Sequence, residues 1–210
     1  MGRRAVLFDV DGVLIHGWHT NPERRRRWDD FLQEDLGVDQ KLFFEAFIEP
    51  IFKSEVLTGK MSIVSALEGA LETIGYQGSP MTVLAYWLNR DSQLNYPLLA
   101  RIKRLRLGGA ANLYIATNQE PLRALYLWNT LGLQHLFDDI FFSARLGSVK
   151  PDPQFFTAIE RRLGHLDEPP IHFDDDPAVV DAARARGWEA FVFNDAEDLA
   201  KAAWMADRLH

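Results

Sequence analysis

The chain has 210 residues, with 23 Lys and Arg against 30 Asp and Glu, a net charge of −7 and no cysteine. Hydrophobic residues at 47% and charged residues at 25% are the proportions of a folded globular chain and exclude a disordered one. An acidic total without a long basic tract disfavours nucleic acid and anionic membrane as partners, and the missing cysteine excludes disulfides, thiolate metal sites and a cysteine nucleophile.

In chain order, Met1–Phe8 runs into Asp9 before an apolar region of signal length can form, and no run approaches roughly 18 apolar residues. The expectation is a cytoplasmic protein with no membrane partner. Ala5–Val10 is rich in β-favouring residues and ends in acids and a glycine. From about Gly17 to Leu107 no strand is expected, only helices. Asn21-Pro22 opens one that Gly37 closes, Ser62–Ile74 forms another ended by Gly75, and Ser79-Pro80 opens a third. Phe43, Phe44, Phe47, Phe52, Tyr86 and Trp87 are assigned to the core and packing face of this helical part. The four consecutive arginines Arg24–Arg27 read as a solvated face, because successive helix positions point in different directions.

Beyond it, Leu113–Ala116, Ile140–Phe142, Ile171–Phe173 and Ala190–Phe193 read as short buried strands. Helices are expected over Gln119–Leu131, Pro153–Leu163 and Pro177–Arg186, each followed by glycine, with Asp152 and Asp176 as N-caps. Strands alternating with helices predict an α/β fold, a Rossmann-like parallel sheet covered on both faces. The small all-helical part is then an insertion between the first two strands. The expected division is 1–16 and 96–210 as the core and 17–95 as the insertion, with hinges near Ile15–His19 and Asn89–Asn95.

Ligands of open parallel sheets bind beyond the carboxyl ends of the strands. Those ends carry Asp9-Val10-Asp11-Gly12, Thr117-Asn118 and Asp174-Asp175-Asp176, and a later loop carries Lys150-Pro151. Packed acids raise one another's pKa unless a cation compensates, and Mg²⁺ is the usual hard cation where phosphate is the partner. An aspartate can then attack phosphorus, while lysine, hydroxyl and metal neutralise the transferring group.

On these residues the chain resembles the haloacid dehalogenase-like hydrolases, in particular the phosphatases with a helical cap between their first two motifs. Phe8-Asp9-Val10-Asp11-Gly12-Val13 matches the first motif, Ile115-Ala116-Thr117-Asn118 the second and Lys150-Pro151-Asp152-Pro153 the third. Phe173-Asp174-Asp175-Asp176, followed by Ala182-Ala183 and Gly187, matches the paired-acid form of the fourth. The resemblance implies an HAD-like core and a phosphatase acting on a small phosphorylated metabolite, such as a sugar phosphate, through an aspartyl-phosphate. It makes Asp9 the nucleophile and Asp11 the acid and base. Thr117, Asn118 and Lys150 would bind phosphate, and Asp9, Asp11, Asp175 and Asp174 would hold Mg²⁺, with Asp175 preferred over Asp174 as the direct ligand.

The same motifs fit a phosphomutase, which leaves that alternative open, together with the choice between monomer and homodimer. A signalling receiver domain also uses acids, Thr, Lys and Mg²⁺. It carries adjacent acids after its first strand, whereas Asp9 and Asp11 are spaced by one and followed by a large insertion. His16 and His19 are assigned to the turn after the first motif. The loop at Leu57-Thr58-Gly59-Lys60 and the segment at Arg90-Asp91 are expected where the cap meets the core.

Overall fold

In the computed structural model, which describes residues 3–208, five parallel strands form one sheet in the order β3-β2-β1-β4-β5. They are β1 (Arg4–Phe8), β2 (Ala111–Thr117), β3 (Asp139–Phe142), β4 (Ile171–Asp174) and β5 (Glu189–Val192). Side chains alternate across β1. Val6 and Phe8 join the core made with Leu98, Ile102 and Leu127, while Ala5 and Leu7 join Phe155, Phe156 and Val180 on the other face. Burial on both faces explains why these strands read as continuous apolar runs, at about 1.5–3 kcal/mol per large side chain. Helices α5 (Tyr96–Leu107) and α6 (Pro121–Leu125) cover the first face, and α8 (Pro153–Leu163) and α9 (Pro177–Ala185) cover the second. The short α7 (Ser143–Leu146) follows β3, and α10 (Ala203–Ala206) closes the described chain. Asp152 and Asp176 cap α8 and α9 as expected, accepting from Gln154 N at 2.7 Å and Ala178 N at 2.8 Å.

A separate apolar cluster holds the helical part together. Leu32, Phe43, Phe47, Val56, Ile63, Leu67, Val83 and Trp87 form it, from α1 (Leu32–Leu36), α2 (Gln40–Phe43) with the π-helix that continues it (Phe44–Val56), α3 (Ile63–Thr73) and α4 (Pro80–Arg90). Phe44 is exposed instead, and Phe52 and Tyr86 pack at the margin. The helix expected from Asn21-Pro22 to Gly37 is broken. A 3₁₀ turn occupies Pro22–Arg24, and regular helix begins only at Leu32. The arginines between them each find a different partner outside a helix, Arg25 stacking 3.8 Å over the Trp18 ring and Arg27 pairing with Asp29. The longest helical stretch, from Gln40 to Val56, had no counterpart in the sequence reading because Pro50 lies inside it. Proline removes an N–H, and hydrogen bonds reach one residue further back, as from Leu57 N to Phe52 O at 2.9 Å.

Two chain segments connect this part to the sheet, and they lie side by side. His16 N donates to Gln93 O at 2.8 Å, Asn95 N to Leu14 O at 2.9 Å and the Asn95 amide to Val13 O at 2.9 Å. No helix among the described residues is long and apolar enough to cross a membrane.

Candidate active site

Strand order places the site. The chain runs from β1 to β2 and β3 on one side and returns to β4 and β5 on the other, so the crevice at the end of β1 lies between the ends of β2 and β4. Phe8 pairs with Phe173, and Asp9 N extends that ladder by donating to Phe173 O at 3.0 Å. Asp9 is therefore carried to the level of Asp174 and Asp175. Thr117 is the last residue of β2 and is buried.

Lys150 enters from the loop after α7, behind a cis peptide bond to Pro151. Its Nζ lies 2.8 Å from Asp9 Oδ1 and 2.6 Å from Asp174 Oδ2. The Asn118 side chain holds that loop on both sides of the Lys150 Cα, accepting from Lys150 N at 2.7 Å and donating to Lys150 O at 3.0 Å. Asn118 thus fixes the position of Lys150, with both polar atoms of its amide engaged. Asp174 also faces His172, whose Nε2 is 3.2 Å from Oδ2, and its Oδ1 accepts from Asp176 N at 3.0 Å. Asp175 Oδ2 accepts from Thr20 N at 2.6 Å and lies 3.3 Å from His19 Nδ1.

Charge at this site is unbalanced. Burial drives Asp9 well above the usual carboxylate range; Lys150 opposes this, while Asp174, Asp175 and Asp11 add to it. Burial, with Asp174, lifts Asp175 to about 6 against the Thr20 hydrogen bond. Asp174 is also buried, but Lys150 and His172 overcome that and hold it well below its ordinary value. One lysine thus serves three carboxylates. Asp9, Asp174 and Asp175 each offer an oxygen within 4.8 Å of the others. Hard oxygen donors with excess negative charge are the chemistry that a small divalent cation fits.

After Asp9 the chain turns at Asp11-Gly12. Gly12 has φ +78°, and a Cβ there would lie 2.7 Å from Asp175 Cγ. Gly12→Ala is expected to cost about 1–3 kcal/mol in backbone strain and to displace Asp175. Thermal melting and steady-state kinetics check it: a lower melting temperature together with reduced turnover is the expected result.

Asp11 is held by residues that sequence reasoning missed. Gln119 Nε2 donates to its Oδ2 at 2.6 Å and Arg123 Nη2 to its Oδ1 at 2.8 Å. Gln119 directly follows the second motif, a signal that was available; Arg123 reads only as one more polar helix position. The helical part reaches the rim at several points. A Cβ on Gly59 would sit 2.5 Å from the Ala144 carbonyl, so the loop at residues 57–60 packs against α7, as anticipated. Arg24 bonds Asn194, and Tyr126 OH lies 3.3 Å from Asn89 Oδ1.

Comparison with known proteins supplies the family. The description of the haloacid dehalogenase-like hydrolases matches residues 3–187. The chain belongs to this family. Among curated proteins, the hydrolase is 25% identical over 211 residues to a phosphorylated carbohydrates phosphatase of Thermotoga maritima, covering 96% of this chain and 92% of the relative. It is 24% identical to fructose-1-phosphate phosphatase YqaB of Escherichia coli, over 89% of this chain and 94% of that one. Among solved structures, a HAD family enzyme of Bacteroides thetaiotaomicron superposes with a TM-score of 0.74 at 18% identity, over 96% and 98% of the two chains. That likeness is one of fold.

Proposed function

We propose that this hydrolase is a Mg²⁺-dependent phosphatase that acts on a small phosphomonoester of the sugar-phosphate type through an aspartyl-phosphate. The observation that carries it is the position of Asp9: at the switch point of the sheet, 2.8 Å from a buried lysine and within one oxygen cluster with Asp174 and Asp175. The relatives' names support the substrate class, and the Bacteroides thetaiotaomicron enzyme has been solved as a magnesium complex, with a TM-score of 0.70 at 19% identity.

Asp9, Asp175, Asp174 and the Asp11 backbone carbonyl would hold Mg²⁺. The bonds to Lys150, His172 and Asp176 occupy both oxygens of Asp174, which favours Asp175 as the direct ligand. Bound there, Mg²⁺ supplies positive charge against the phosphoryl oxygens. Asp9 attacks phosphorus with a carboxylate oxygen, and the P–O bond to the leaving group breaks. Asp11 gives the departing oxygen its proton, then takes one from the water that hydrolyses the phospho-aspartate. Lys150 and the Thr117 hydroxyl stabilise the transferring group, and Asn118 positions Lys150. Residues 17–95 act as a cap that excludes water and contacts the leaving group, moving at the paired segments near Ile15–His19 and Asn89–Asn95.

A panel of sugar phosphates and a generic aryl phosphate, assayed for released inorganic phosphate with Mg²⁺, tests the proposal. Release on sugar phosphates, lost on chelation and restored by Mg²⁺, is expected. Silence across the panel, turnover that survives chelation, or conversion of a sugar 1-phosphate to the 6-phosphate without release would overturn it.

A further inference from the structure

We propose that Arg123 is a positioning residue that orients Asp11 and links it to Asp91 in the helical part, a role that rests on the phosphatase reading above. Arg123 is only 4% exposed. A guanidinium is buried at high cost unless charged partners surround it, and this one has two. Its Nη2 donates to Asp11 Oδ1 at 2.8 Å, and its Nη1 lies 3.1 Å from Asp91 Oδ2. One carboxylate belongs to the first motif and the other follows the last turn of α4, so a single planar fork spans core and insertion.

The surroundings fix the fork. Glu120 caps α6 by accepting from Leu122 N at 2.7 Å and Arg123 N at 2.5 Å, which anchors the arginine's own backbone. Trp87 Nε1 donates to Asp91 Oδ2 at 3.1 Å. Across the cluster, a Cβ on Gly17 would fall 2.3 Å from Asp91 Oδ1 and 3.7 Å from Asp11 Oδ1. Asp91 is therefore pressed against the first connecting segment at the point where the second one begins. With Gln119 on its other oxygen at 2.6 Å, Asp11 has both carboxylate oxygens held by donors, and one of those donors answers to the stance of the helical part.

The consequence is specific to proton transfer. As Asp9 bonds to phosphorus and the leaving P–O bond breaks, an alkoxide needs the proton of Asp11, whereas a nitrophenolate departs without it. Loss of Arg123 lets Asp11 turn away, at a cost borne by the first kind of substrate.

The experiment compares kcat/KM, which reports phosphoryl transfer to Asp9, on an alkyl phosphate and a nitrophenyl phosphate for wild type, Arg123→Gln, Arg123→Lys and Asp91→Asn. For Arg123→Gln the loss is expected to be about 10–100-fold on the alkyl ester and under about 3-fold on the aryl ester. Arg123→Lys should recover part of the alkyl activity, and Asp91→Asn should show the same selectivity at smaller size. Equal losses on both esters, or none on either, would overturn the role of Arg123. Should Arg123→Gln fail to fold, the Lys and Asp91→Asn proteins carry the same comparison. Retained activity in Asp9→Asn would instead remove the aspartyl-phosphate route of the proposed function, so the two failures are distinguishable.

Discussion

Asp9→Asn is expected to lose turnover by about 10³-fold or more while melting at the same or a higher temperature in the absence of metal. The amide oxygen is neutral and a poor nucleophile, and removal of a covalent nucleophile is among the most damaging changes an enzyme can suffer. Stability should move the other way. Burial, together with the neighbouring Asp174, Asp175 and Asp11, disfavours the charged form of Asp9, and Lys150 keeps Asp174 as its partner when Asp9 is neutralised. A gain of about 1 kcal/mol would raise the melting temperature by about 2–4 °C in a chain of this size. Kinetics on an aryl phosphate and a melting curve check both halves. Turnover within tenfold of wild type would remove Asp9 as nucleophile, and a large drop in melting temperature would make it chiefly a structural partner of Lys150.

Lys150→Met reverses the second sign. Its ammonium is the cation shared by Asp9 and Asp174, at 2.8 and 2.6 Å, and both carboxylates are buried. Breaking a buried pair by removing one partner costs about 3–5 kcal/mol, because the remaining charge stays desolvated. Lys150 itself is held above its ordinary value: burial lowers it, but Asp174 and Asp9 more than compensate. The variant should melt at least about 6 °C lower and lose about 10²-fold or more in kcat, since the positive charge aimed at the phosphoryl group is gone. Opposite shifts in stability for Asp9→Asn and Lys150→Met, with activity lost in both, would mark a cluster built with surplus negative charge.

The sheet was legible because its strands are largely buried on both faces and read as short, mainly apolar runs, as in Leu113–Ala116 and in Ile171–Phe173, where only His172 is polar. β1 stops at Phe8 rather than Val10, since the backbone turns at Asp11-Gly12 to bring the acids over the crevice. The candidates Asp9, Asp11, Thr117, Lys150, Asp174 and Asp175 were legible because each ends or follows a strand, or sits in a loop beside a characteristic neighbour, glycine or proline. The Arg90-Asp91 segment was expected where the helical part meets the core, and Asp91 does meet α6 there, but its partner Arg123 was not legible. The role of Arg123 comes from an ion pair between α6 and the end of α4, and the local spacing within α6 carries no trace of it. Arg24–Arg27 face solvent as expected, with Arg25 partly buried, but not on one helix: the 3₁₀ turn ends at Arg24, and the guanidinia take separate partners, including Arg24 with Asn194 and Arg26 with Gln93.

The most direct measurement is to trap the covalent intermediate. The Mg²⁺-loaded protein is quenched in acid during turnover of a sugar phosphate, digested, and its peptides weighed. A phosphoryl group on the peptide containing Asp9, labile to hydroxylamine and absent from Asp9→Asn, is the predicted result. Steady turnover with no acyl-phosphate on that peptide, or with the phosphoryl group on another residue, would contradict the account.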